Sequence, residues 1–140
     1  MANARRAKNA GTAGAARPVR TPASGPELVT VLFQLQLAVK LFHWQTRDYA
    51  AHVESGKLFD NIIELTDEII EQYIGLFGRP RMAAGAAVAL PNMTAPALAA
   101  ALRDGMAYMD ARMPPAPNLL ALRDELVGDM ARALFLLSMR

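Results

Sequence analysis

Four runs of helical periodicity, punctuated by proline and glycine, limit what this chain can become. The first opens at Gly25-Pro26-Glu27, with proline in the first turn and an acid at the positive end of the helix dipole. It reaches about Thr46. Leu28, Val31, Leu35, Val39 and Phe42 share one face, and Phe33, Leu37, Leu41 and Trp44 form a second. A helix that is apolar on two faces needs cover on more than one side, which points to contacts beyond a small bundle. After a short connection at 47–51, the second run covers about 52–77. Leu58, Ile62, Leu65, Ile69, Tyr73 and Leu76 recur at helical spacing, and Gly78 and Pro80 close it. Residues 79–93 are an alanine-rich linker. Thr94 then caps a third helix, with Pro96 in its first turn and Leu98, Leu102, Met106, Met109 and Met113 as its stripe. Pro114-Pro115-Ala116-Pro117 stops that helix near Arg112. The fourth runs from about Asn118 to the end, with Leu119, Leu122, Leu126, Ala133 and Leu137 facing inward. Strand-type alternation is absent. The expected fold is therefore all-α, an antiparallel four-helix bundle over residues 26–140.

At 140 residues and 53% hydrophobic content, the chain suits one domain around one core. It has no cysteine, which excludes disulfides, thiolate metal sites and cysteine nucleophiles. Any metal would rest on imidazole and carboxylate. No apolar run approaches the ~20 residues that span a bilayer, and the N-terminus lacks a hydrophobic signal core. A cytoplasmic protein without a membrane partner is expected. The net charge of +2 hides an asymmetry. Residues 1–25 carry Arg5, Arg6, Lys8, Arg17 and Arg20 and no acid, whereas the remainder is mildly acidic. This tail has almost no large apolar side chain and is expected to be disordered. It reads either as a non-specific nucleic-acid arm acting on phosphates or as a solvated extension. No helix has a basic recognition face, and no glycine-rich phosphate loop or serine elbow is present.

The chemistry concentrates in the first half of the chain. His43 and His52 are its only histidines and Trp44 its only tryptophan. Downstream, Asp60, Glu64, Asp67 and Glu71 step by four, three and four along the side of the second helix away from its core stripe, flanked by Ile63, Ile70 and Ile74. The plain alternative is ordinary: histidines satisfied at a helix end, and a wet acidic face. Geometry sharpens the choice. His52 and Asp67 are 15 residues apart, about 22 Å along a continuous helix, so one copy cannot bring them to one ion. His43 can meet His52 across the intervening turn. Asp67 and Glu71 are an i, i+4 pair able to chelate together. These are two half-sites, which combine if a second copy packs its helix antiparallel across a two-fold axis, giving two equal sites. The sequence contains no Glu-x-x-His, which argues against a di-iron centre inside a single bundle.

His43-Trp44, His52, Asp67 and Glu71 together resemble the mini-ferritins, the DNA-protecting ferritin-like proteins of starved bacteria. The likeness spans about residues 28–77. It implies a ferritin-like bundle and an iron site shared between two subunits, with His43 and His52 from one copy and Asp67 and Glu71 from the other. It also implies ferroxidase activity on Fe(II), and a homo-oligomer that is a two-fold dimer or larger. Trp44 becomes a candidate redox partner. There are departures from the pattern. The loop between the two histidines is shorter, and Gly56 stands where those proteins place an acid, with Asp60 one turn further on as a weaker candidate ligand. The His-Trp-Gln-Thr run at 43–46, Tyr49-Ala50-x-His52 and the Leu-x-x-Leu-Arg-Asp-Glu-Leu segment at 119–126 are similar to small ferritin-like proteins of large DNA viruses and phages. That likeness bears on fold more than on activity and would place the protein in a host cytoplasm or a virion. The competing expectation is a non-enzymatic helical oligomer whose metal site has decayed.

Overall fold

The structure is a computed structural model and describes residues 21–139. Four helices account for the described secondary structure: α1 (Gly25–Gln45), α2 (Tyr49–Phe77), α3 (Ala95–Arg112) and α4 (Pro117–Leu137). α1 packs on α2 and α3, and α4 packs on α2 and α3, so the helices close a ring in which α1 lies across from α4. The core inside this ring is built from fully buried side chains of all four helices. Leu28, Leu32 and Phe42 come from α1, Ile62 and Ile69 from α2, Leu98 and Met109 from α3, and Leu119, Leu126 and Met130 from α4.

Local chemistry explains the boundaries. Ser24 caps α1 with a reciprocal capping box, its hydroxyl accepting from Glu27 N–H while the Glu27 carboxylate accepts from Ser24 N–H. The stretch just before α1, assigned by composition to the tail, is held firmly. Ala23 is buried and donates to the Arg112 carbonyl at 2.7 Å, and the Arg112 guanidinium reaches Glu27 at 2.8 Å. α2 starts at Tyr49, earlier than periodicity suggests, because the Asp48 carboxylate accepts from Ala51 N–H at 2.7 Å and starts the helix there. The expected 47–51 connection shrinks to Thr46-Arg47-Asp48. Leu76, expected on the core stripe, is half exposed because the stripe has rotated outward by the last turn of α2.

The linker is irregular, with one turn at Ala84-Gly85, and Gly85 has a positive φ of 77°. The Gln45 side chain pins its far end, donating to the Asn92 side-chain oxygen at 3.0 Å and accepting from Met93 N–H at 2.7 Å. α1 is also, by length and composition, long and apolar enough to cross a membrane, contrary to expectation. Its only charged side chains are Glu27 and Lys40, and here one of its apolar faces fills the core.

Candidate metal centre

The tight turn between α1 and α2 decides the placement of the histidines. His43 lies in the last turn of α1 and His52 in the first turn of α2, with three residues between the helices. The rings stack with centroids 3.8 Å apart and planes 18° off parallel. Each ring also hydrogen-bonds to the other residue's backbone. His52 Nδ1 lies 2.8 Å from the His43 carbonyl, and His43 Nδ1 lies 2.7 Å from the His52 carbonyl. The His43 carbonyl belongs to the last turn of α1, where the helix itself offers no donor, so the His52 ring supplies one. A carbonyl only accepts, so both Nδ1 atoms carry a proton. In the neutral rings both Nε2 atoms then hold the free lone pair. A ring N–H donated to a backbone carbonyl, with the other nitrogen left basic, is the usual support for a metal-ligating histidine. Ser55 Oγ lies 3.4 Å from His43 Nδ1 and itself donates to the Ala51 carbonyl at 2.7 Å, filling the space beneath the ring.

Gly56 lies against the His43 ring. A Cβ there would sit 3.0 Å from Cε1 and 3.3 Å from Nδ1. The position of the missing acid is thus packed closely against the histidine stack, and a side chain there would require the His43 ring to give by a few tenths of an ångström. Asp60 is exposed one turn further along α2.

Asp67 and Glu71 are both exposed on α2. α2 is unbroken between His52 and Asp67, so the two half-sites stay apart within one copy. Among the described residues, no three His, Asp or Glu side chains gather to hold a metal ion. Asp67 borders a shallow groove of about 420 Å³ between α1 and α2, lined by Phe33, Ile63 and Ile70 among others. Phe33 is 50% exposed and Ile63 43%, so this groove sits in an uncovered apolar face. The Thr66 hydroxyl also lines it, buried and without a hydrogen-bond partner.

Trp44 is 70% exposed and does not serve the core. The Lys40 ammonium lies 5.6 Å from its ring centroid and 4.5 Å from that of Phe59, a cation held between two aromatic faces. Arg5, Arg6, Lys8, Arg17 and Arg20 lie outside the described residues.

Several features had no clear signal in the sequence: the reciprocal ring-to-backbone bonds, the Ser55 contact and the Gln45 clamp. Asp48 followed by a helical run was the one signal that could have placed His52 in the first turn.

The geometry defines an all-helical, four-helix protein with an imidazole pair at one helix junction and a carboxylate pair on an apolar outer face. The chain belongs to a family of unknown function, DUF5856, whose model matches residues 43–137. The match begins at His43 and takes in His52, Asp67, Glu71 and α2 to α4. No curated protein and no solved structure matches the chain.

Proposed function

We propose that this protein is a ferritin-like, antiparallel bundle that binds iron at a site shared between two copies, in the manner of the mini-ferritins. His43 and His52 of one copy supply imidazole nitrogens, and Asp67 and Glu71 of its mate supply the carboxylates. The observation that carries the reading is the reciprocal pair of ring-to-backbone contacts at Nδ1. Both rings spend Nδ1 on backbone carbonyls and keep Nε2 available. The exposed Phe33 and Ile63, lining the same groove as Asp67, support a second copy as the cover for this face. Two nitrogens and two carboxylates with open positions suit Fe(II). Fe(II) is the substrate in this reading, oxidised to Fe(III) with dioxygen or peroxide as electron acceptor. Trp44, exposed next to His43, is the redox-partner candidate.

Anaerobic Fe(II) titration tests the reading. Binding is expected in the native chain and not in His52→Ala or Asp67→Ala. Co-assembling these two variants recovers one intact site per mixed dimer if the ligands come from different copies. A mixture as inert as its parents eliminates the shared site.

A second reading is a purely structural helical oligomer whose metal site has lapsed. Gly56 favours it, because the position beside His43 has no carboxylate and is closely packed against the ring. It predicts the same assembly with no iron in protein purified from its source, measured by elemental analysis.

A further inference from the structure

The other side of α1 is built differently from the face just described. Where α1 meets α3, Gly105 leaves room for Leu35: a Cβ there would lie 2.6 Å from Leu35 Cδ2. One and two turns back along α3, the facing residues are Ala101 and Ala97, too small to fill the space beside α1. The result is a cavity of about 550 Å³, within the size range of small-molecule sites. Ala89, Leu90 and Pro91 of the linker border it, and the Gln45 clamp on Asn92 and Met93 holds that roof down.

The lining is mostly apolar and includes no lysine or arginine. Its one ionised side chain is Asp104, which is exposed and makes no ion pair among the described residues. An anionic ligand would lose its water to meet a like charge. An apolar body carrying an amine would bury the body against the alanines and place its positive charge at the carboxylate.

We propose that the cavity between α1 and α3, roofed by the linker, binds a small apolar amine, with Asp104 receiving the ammonium group. Other occupants fit poorly. Residues 1–20 contain only Met1 and Val19 as large apolar side chains, too few to fill the space. A second copy would have to displace the chain's own roof. The site is independent of the face at Asp67, so failure of the iron reading does not touch it.

The test uses the full chain with N-phenyl-1-naphthylamine, an uncharged probe that fluoresces in apolar surroundings. Native protein is expected to bind it. Ala101→Leu and Ala97→Leu, which fill the cavity from successive turns of α3, are expected to abolish binding. Phe33→Ser on the opposite side of α1 should leave it intact. Dodecylammonium, below its micelle concentration, is expected to displace the probe about tenfold better than dodecanoate. Asp104→Asn should erase that preference while retaining the probe. The two leucine variants guard against misfolding of either one, checked by circular dichroism. Probe binding unchanged in a folded leucine variant overturns the proposal, as does no preference for the amine in the native chain. A shift in sedimenting mass in Ala101→Leu would assign the seam to a second copy and likewise overturn it.

Discussion

α1 is flanked by two seams, and they differ in the size of what faces it. On the α2 side, Phe59, Ile63, Ile70 and Tyr73 are large, and α1 answers with Val29, Phe33 and Lys40. The space left there is a groove of about 420 Å³ that opens outward. What remains is an outer apolar face and the stacked histidines. On the α3 side, Ala97, Ala101 and Gly105 are small, and a cavity opens under the linker. The same helix therefore has one seam lined by large side chains with a groove open to the outside, and one lined by small side chains with a pocket under the linker. Side-chain volume, more than hydrophobicity, separates the two: both seams are apolar, and the one facing α3 is lined by smaller side chains.

The largest expected effect tests this contrast directly. Ile62→Ala, at a fully buried position on α2, removes side-chain volume from the core. It is expected to cost about 2–5 kcal/mol in denaturant unfolding. Ala101→Leu adds volume where the cavity already has room, and should change stability by less than about 1 kcal/mol in either direction. A similar large loss in both variants would mean that the α3 seam is as tightly filled as the rest.

A smaller effect probes the contact at Gly105 in the loose seam. Gly105→Val drives a branched side chain into Leu35, which is itself buried. The expected cost is about 1–3 kcal/mol by overpacking, despite the better helix propensity of valine. Thermal unfolding at neutral pH measures it. A more stable variant would show that α1 and α3 separate freely.

The contrast between the seams also marks where sequence reading succeeded. Helical spacing and the proline punctuation located all four helices, because amphipathic burial needs only a pattern. Leu28, Leu35, Val39 and Phe42 were legible as core on that ground, and they are buried. Leu32, fully buried, was not singled out, because two apolar faces on α1 leave its orientation underdetermined. The approach of His43 to His52 was readable from the short turn between them. The hydrogen bonds that fix their tautomer depend on side-chain rotamers, which no spacing encodes. The alanines of α3 were not singled out, because the leucine and methionine stripe defined the helix, and their cavity depends on the path of an irregular linker held by Gln45. The outer carboxylates remain a half-site in a single copy, because their proposed partners belong to another.

The smallest effect concerns Tyr108, which borders the loose seam. Its hydroxyl is buried without a hydrogen-bond partner, while Arg112 lies over its ring at 5.6 Å. Burial first, and then the nearby Glu27 carboxylate, push its phenol above its ordinary value, with Arg112 pulling the other way. In the unfolded chain the phenol ionises near pH 10. As pH rises from there through the higher folded value, the unfolded chain gives up a proton that the folded chain keeps. Ionisation therefore favours unfolding, and stability falls across that window. Below it both states are protonated and the group contributes no pH dependence. Tyr108→Phe removes the orphaned hydroxyl and keeps the ring under Arg112. It is expected to raise stability by about 1 kcal/mol at neutral pH, since a buried polar atom no longer has to go without a partner. The same variant should also flatten part of the alkaline decline in denaturant midpoint above pH ~10. A loss of stability at neutral pH would mean that the hydroxyl has a bonded partner in solution, and that this part of the seam is wet.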